Sequence, residues 1–92
     1  MIIQSKKVWV VNTWLEAQIE VEDGKITNIY PYGTKEVDED YGEKRIVPGF
    51  IDVHTHGAVG VDVNAATAED YEKICRFAAG NGTTSWLCSV LT

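Results

Sequence analysis

The sequence predicts an α/β protein in which a small antiparallel β-domain precedes one β-α-β unit. Three observations predict this fold. The first 30 residues alternate apolar and polar side chains around a hairpin signal. An amphipathic helical pattern begins near residue 67, and a short apolar segment rich in strand-forming residues lies on each side of it. A helix between two buried strands is typical of a parallel β-α-β crossover.

The β-domain is predicted from three strands. Lys7–Val11 is rich in good strand formers, and Ala17–Glu22 alternates apolar with polar residues, as a half-buried strand does. Asp23-Gly24 follows as a tight-turn signal, because glycine readily takes a positive φ. Lys25–Tyr30 is the returning strand. We therefore expect an antiparallel sheet with one packed and one wet face.

Residues 31–44 are predicted to be an acidic, solvated loop. They contain two glycines and a cluster of carboxylates whose order does not match a calcium-binding loop. We assign residues 1–46 to an accessory, β-sandwich-like domain that includes this loop.

Residues 47–92 are predicted to form the β-α-β unit. Its first strand is the apolar segment that runs from Arg45 through Phe50-Ile51-Asp52-Val53, and Pro48-Gly49 marks the start of its buried part. Glycines and an asparagine make 57–66 a predicted loop.

The helix is predicted to begin near Thr67, which with Asp70 resembles a capping box. Its apolar stripe follows i, i+3, i+4, i+7 spacing and consists of Tyr71, Ile74, Cys75 and Ala78. Gly80 and Gly82 mark the end of the helix. Residues 83–92 form the predicted second strand.

Composition limits the function classes. The chain has 92 residues and a formal charge of −6, without a basic cluster, which argues against nucleic acid or an anionic membrane as partner. It has no apolar segment typical of a signal peptide or membrane span. The two cysteines, Cys75 and Cys88, are expected to be small buried residues in a reducing compartment, so we expect a cytoplasmic protein.

The chemistry is predicted to lie at His54 and His56. Alternation along a strand puts both imidazoles on one face, where they can bind one divalent cation. Catalytic zinc sites usually have three protein ligands, and both histidines of the chain lie in this one motif, so the site is half complete. Asp52 lies on the same predicted face and is either a residue that orients a ligand or a buried hydrogen-bonding residue.

The predicted elements are too few for a complete parallel sheet. Two parallel strands and one helix cannot cover both faces of such a sheet. A (β/α)8 barrel needs about 250 residues, so the simplest expectation is an N-terminal piece holding the first unit of an incomplete barrel. The alternative is that the chain folds alone and pairs its open edges with a second copy.

The segment Pro48–His56 resembles the first-strand signature of the amidohydrolase superfamily of metal-dependent hydrolases. Together with Gly57, Gly60 and Asp62, and with Gly82–Leu87 after the helix, it is similar to N-acetylglucosamine-6-phosphate deacetylases. The chain departs from that family at Cys88-Ser89, where Pro-Thr is common.

This resemblance implies a divalent metal, zinc foremost and iron or another ion as alternatives, with His54 and His56 as ligands. It implies that water activated by the metal attacks the acetamide of an amino-sugar phosphate. A late-strand aspartate would act as general base, and acetate and glucosamine 6-phosphate would leave.

The resemblance puts the catalytic and phosphate-binding residues beyond Thr92, so the 92 residues alone are expected to be inactive, and a homo-oligomer is expected. The alternatives are another amidohydrolase, acting on a cyclic amide or an N-acyl amino acid, and a non-catalytic, self-associating β-module.

Overall fold

The computed structural model describes residues 1–91, which divide into two compact units, Met1–Pro48 and the residues from Gly49 onward. The division lies two residues after the predicted domain boundary. The first unit contains β1 (Ile2–Val10), β2 (Thr13–Glu22), β3 (Lys25–Pro31), β4 (Glu39–Asp40) and β5 (Arg45–Ile46). The second contains β6 (Phe50–Thr55), β7 (Gly57–Ala58), β8 (Val61–Asp62), a 3-10 turn (Val63–Ala65), α1 (Ala68–Gly80) and β9 (Thr83–Cys88).

The first unit is built on two antiparallel hairpins. β1 pairs with β2 and β2 with β3, and the predicted turn at Asp23-Gly24 is confirmed with φ values of 50° and 75°. Val8 and Ala17 are buried at the centre of the sheet with Ile19. Both strands are longer than predicted at their N-terminal ends, because β1 begins at Ile2 and β2 at Thr13.

The prediction of a purely solvated loop at 31–44 is wrong. Within it, β4 pairs in parallel with β1, and the sheet is therefore mixed rather than antiparallel. The backbone N–H of Asp38 donates to the carbonyl of Ile2 at 2.8 Å, and the Asp38 carboxylate accepts from the N–H of Ile2 at 2.7 Å. Periodicity did not reveal this pairing because only two residues take part and both are charged.

Buried amides also hold this acidic segment against the sheet. Gln18 is fully buried and donates to Gln4 Oε1 at 2.9 Å and to the carbonyl of Lys35 at 2.8 Å. Gln18 Oε1 accepts from the N–H of Lys35 at 3.0 Å, and Gln4 donates to Asp40 at 3.0 Å. Each buried amide thus gains the partners that burial requires.

In the second unit, β6 pairs directly with β9 in parallel, and α1 connects the two strands along the chain. The predicted capping box is confirmed: Thr67 Oγ1 accepts from the N–H of Asp70 at 3.3 Å, and the Asp70 carboxylate accepts from the N–H of Thr67 at 3.0 Å. Ile74 is the buried residue of the helix, which ends at Gly80, and Gly82 follows with φ +88°.

Three predictions about strand and loop boundaries are corrected. Arg45-Ile46 pairs with β1 in the first unit instead of opening the histidine strand. The predicted loop 57–66 contains the β7–β8 hairpin and the 3-10 turn. The last strand ends at Cys88, 89–91 are not strand, and Thr92 lies outside the described residues.

Both cysteines are exposed, which corrects the prediction that they are buried. α1 packs against a sheet of only two strands, so Ile74 alone takes the fully buried position of the apolar stripe. Cys75 lies beside that position, and its Sγ accepts a hydrogen bond from Trp86 Nε1 at 3.3 Å. No helical segment within residues 1–91 combines the length and the apolar character needed to cross a membrane.

Candidate metal centre

Two glycines delimit the histidine strand. A Cβ at Gly49 would lie 2.3 Å from side-chain atoms of Thr84, so only glycine lets the chain enter β6 beside β9 without displacing Thr84. Gly57 directly follows His56 and has φ +150°, and a Cβ there would lie 1.9 Å from the carbonyl oxygen of Val61. These positions therefore need glycine for steric reasons at both ends of the motif.

The two imidazoles meet at the end of β6. Nε2 of His54 lies 3.0 Å from Nε2 of His56, the ring centroids are 4.9 Å apart, and the rings are inclined by 65°. Both residues are exposed. The expected convergence of the two rings is what the structure shows, whereas their role as metal ligands stays a prediction.

The spacing of the two nitrogens fits a shared cation. With Zn–N bonds of about 2.0–2.1 Å and a tetrahedral angle, two ligand nitrogens lie about 3.3 Å apart. The observed 3.0 Å needs only a small opening of the pair. The present contact is also a hydrogen-bond distance, with one ring donating and the other accepting, so a bound cation would replace that contact.

Asp52 supports the strand end through the backbone rather than through a ring. Its Oδ1 accepts from the N–H of His54 at 3.0 Å, and its Oδ2 accepts a hydrogen bond from the hydroxyl of Thr55. The Thr55 hydroxyl and then the His54 N–H lower the pKa of the Asp52 carboxyl below its usual value. Asp52 is therefore a charged acceptor at neutral pH, fixed beside the first histidine.

The strand around Asp52 is less regular than simple alternation of side chains predicts. The pairing register with β9 shifts between Asp52 and Thr55. Both residues line a cavity of about 270 Å³ with helix residues such as Ile74 and Phe77, and neither imidazole lines it. Asp52 contacts the backbone of His54 and neither imidazole, so its role in orienting a ligand stays a prediction that would act through this backbone.

Further backbone hydrogen bonds fix the segment around the histidines. The carbonyl of His56 accepts from the N–H of Val63 at 2.8 Å, and the carbonyl of Thr55 accepts from the N–H of Ser89 at 2.9 Å. Asn64 pairs with the backbone of Leu91 twice, donating to its carbonyl at 2.6 Å and accepting from its N–H at 3.1 Å. The segments after β6 and β9 are thereby joined.

Sequence reasoning did not identify Thr55 or Asn64 as part of this arrangement. Thr55 stands between the two histidines on an expected strand, where a hydroxyl has no distinctive pattern. Asn64 served only as a loop signal, although an Asn soon after an Asp in a Gly-rich loop is a usual source of side-chain-to-backbone hydrogen bonds.

Among the described residues, no third candidate ligand joins the two imidazoles. Residues 1–91 contain no cluster of three or more His, Cys, Asp or Glu side chains able to hold a metal ion. The donors that fit a cation are the two imidazole nitrogens, which suit zinc and other late first-row metals.

Known proteins are similar to this chain over most or nearly all of its length. An N-acetylgalactosamine-6-phosphate deacetylase from Escherichia coli O157:H7 is 28% identical over 92 residues, which is 99% of this chain and 24% of that protein. An N-acetylglucosamine-6-phosphate deacetylase from Vibrio furnissii is 34% identical over 73 residues, 77% of this chain and 18% of that protein. The chain thus spans about a quarter or less of its curated relatives. No protein-family model matches it.

Solved structures show the same fold. A mutant of the N-acetyl-D-glucosamine-6-phosphate deacetylase of Mycobacterium smegmatis, in complex with N-acetyl-D-glucosamine-6-phosphate, has a TM-score of 0.90 at 23% identity, over 100% of this chain and 25% of that one. A second structure of the enzyme from that organism has a TM-score of 0.88 at 22% identity, over 99% and 27%. The resemblance drawn from the histidine motif is confirmed as one to a fragment of these deacetylases.

Proposed function

We propose that this chain provides the accessory sheet and the first ligand strand of a metal-dependent amide hydrolase that deacetylates N-acetylglucosamine 6-phosphate. The observation that carries the proposal is the pair of exposed imidazoles whose Nε2 atoms lie 3.0 Å apart at the end of β6. Support comes from the relatives, which are named as deacetylases of amino-sugar phosphates.

Each residue of the site has a stated role in this proposal. His54 and His56 hold a divalent cation, zinc foremost, and Asp52 fixes the backbone of His54 so that the two rings stay together. The cation, when bound, supplies Lewis acidity that polarises an amide carbonyl and promotes the ionisation of water. We propose that the general base and the phosphate-binding groups come from outside these 92 residues.

The test uses the product of the complete reading frame that encodes this segment. We expect that product to release acetate from N-acetylglucosamine 6-phosphate, and His54→Ala and His56→Ala each to lower kcat/KM by about 100-fold or more, because each removes a metal ligand. Val53→Ala is the matched control, since it shortens an exposed side chain of the same strand. A fully active His54→Ala,His56→Ala double variant would contradict the ligand role.

The second candidate substrate is N-acetylgalactosamine 6-phosphate, which differs from N-acetylglucosamine 6-phosphate in the configuration of one hydroxyl. The relative from E. coli O157:H7, which matches this chain over nearly its whole length, is named for that sugar. The two substrates are compared by kcat/KM on the same preparation, and the larger value identifies the substrate. Activity on neither, with turnover of a cyclic amide or an N-acyl amino acid, would contradict the amino-sugar proposal.

A further inference from the structure

The two peptide groups that flank the Cα of His56 are held by different parts of the second unit. The carbonyl of Thr55 accepts from the N–H of Ser89, just after β9, at 2.9 Å. The carbonyl of His56 accepts from the N–H of Val63, the first residue of the 3-10 turn, at 2.8 Å. Because these two peptide groups set the direction of the His56 Cβ, the position of the imidazole depends on both supports.

Asn64 joins the two supports to each other. Its Nδ2 donates to the carbonyl of Leu91 at 2.6 Å, and its Oδ1 accepts from the N–H of Leu91 at 3.1 Å. Asn64 directly follows Val63, and Leu91 lies two residues after Ser89. The hydrogen bonds therefore close a ring around the second histidine, through the 3-10 turn and the segment after β9.

We propose that Asn64 is a positioning residue for His56, because its carboxamide ties the 3-10 turn to the segment after β9 and so keeps the turn against the His56 carbonyl. The inference rests on the ligand role of His56 in the proposed function and adds the residue that keeps the His56 imidazole in place. The first histidine has a support of its own, since Asp52 accepts from the N–H of His54 at 3.0 Å.

An amide side chain suits this link because it carries both a donor and an acceptor, which match the carbonyl and the N–H of Leu91. Asn64→Ala removes both bonds. The turn has other supports, because Val63 is only 3% exposed and Asp62 Oδ1 accepts from the N–H of Asn64 at 2.9 Å. Loss of the Asn64 side chain should therefore loosen the turn beside His56 without unfolding it.

The first measurement is hydrogen exchange, followed by mass spectrometry, in the metal-free product of the complete reading frame. In Asn64→Ala we expect the peptide spanning 57–66 to exchange about fivefold faster, the factor that a typical hydrogen bond contributes to a local opening equilibrium. Asn64→Asp has nearly the same shape and retains the acceptor but loses the donor. Its exchange should lie between those of Asn64→Ala and the wild type, and it needs neither metal nor activity to be measured.

The second measurement is zinc affinity, by competition with a chromophoric chelator. We expect Asn64→Ala to weaken zinc binding by about fivefold, because the loosened turn lets the His56 imidazole move away from that of His54. Asn81→Ala is the matched control, since it removes a similar amide that donates to the carbonyl of Phe77 in α1 at 2.9 Å. The control should leave zinc affinity and the exchange of 57–66 at wild-type values, and circular dichroism checks that each variant is folded.

The outcomes separate this inference from the proposed function. Wild-type exchange of 57–66 in Asn64→Ala, or an equal loss of zinc affinity in Asn81→Ala, would overturn the positioning role. Faster exchange with unchanged zinc affinity, while His56→Ala loses zinc, would also overturn it and leave the ligand role intact. If His56→Ala binds zinc as tightly as the wild type, the ligand role and the positioning role both fail.

Discussion

At the scale of single residues, the centre depends on side chains that hold the histidines in place as well as on the histidines. Gly49 and Gly57 admit no Cβ without a clash, and they bracket the strand segment that carries both rings. Asp52 and Thr55 form a hydrogen-bonded pair inside this segment, and Asp52 also binds the N–H of His54. The convergence of the rings is thus a property of the local backbone.

Replacing Asp52 with alanine is expected to weaken zinc binding by about tenfold, the lower end of what partners that orient metal ligands contribute, because Asp52 acts on the His54 backbone and not on the ring. The change removes the acceptor for the His54 N–H and for the Thr55 hydroxyl while leaving both imidazoles. Competition with a chromophoric chelator measures the affinity.

Thr55→Val is the control for this prediction. It keeps the bond from Asp52 to the His54 backbone and removes only the hydroxyl donor. We expect a smaller loss of affinity than for Asp52→Ala. Equal zinc affinities for Asp52→Ala and the wild-type chain would show that Asp52 is a structural residue alone.

At the scale of elements, the start of α1 is fixed by its capping box. Thr67 and Asp70 each satisfy a backbone N–H that the first helical turn leaves without a partner. A 13-residue helix is short for independent stability in water, so the cap and the packing of Ile74 both matter.

Thr67→Ala is expected to lower the free energy of unfolding by about 1 kcal/mol, the usual cost of losing such a cap. Urea denaturation followed by circular dichroism at 222 nm measures the change. Thr67→Ser retains the hydroxyl and should unfold close to wild type. An unchanged midpoint for Thr67→Ala would mean that the cap contributes little here.

Hydrogen bonds to the Asp40 carboxylate accompany the parallel pairing of β4 with β1. Asp40 accepts from the N–H of Gly42 at 2.9 Å and from Gln4 Nε2 at 3.0 Å, and these bonds lower the pKa of the Asp40 carboxyl below its usual value. A carboxyl whose pKa is lower in the folded state stabilises the fold above its unfolded pKa, and this contribution is lost as the pH falls through its folded pKa.

We therefore expect stability to fall below about pH 4, partly through Asp40. In Asp40→Asn the stability at neutral pH should be lower and the decline toward acid shallower. Thermal unfolding of the wild-type chain and of Asp40→Asn, measured from neutral pH to acid, gives the stability at neutral pH and its decline for each. Glu36→Gln removes one charge from the same segment and serves as the control; an Asp40→Asn profile parallel to wild type would contradict the assignment.

At the scale of the whole molecule, we expect the described residues alone to be too few for catalysis. The two imidazoles are the candidate metal donors that residues 1–91 bring together. A hydrolase of the proposed class also needs a general base and groups that bind the phosphate. The chain spans about a quarter of the length of the E. coli relative.

The purified 92 residues are expected to release no acetate from N-acetylglucosamine 6-phosphate, even with saturating zinc. An enzyme-coupled acetate assay, with a complete deacetylase as positive control, measures this. Turnover above that of the His54→Ala,His56→Ala variant would show that the described residues suffice for the reaction.

The amino-acid sequence by itself determined the elements whose causes are local. The hairpin at Asp23-Gly24, the helix start at Thr67 and the His54–His56 pairing follow from turn chemistry, capping and the two-residue period of a strand. Each of these features involves residues close together in the chain, so a short pattern is enough to predict it.

Only the tertiary structure decided the features made by residues far apart in sequence. The docking of the acidic segment on β1, the exposure of Cys75 and the bond between Asn64 and Leu91 depend on which elements become neighbours. Periodicity carries no information about such pairings, because a buried amide or a two-residue strand gains its partner only when the chain has folded.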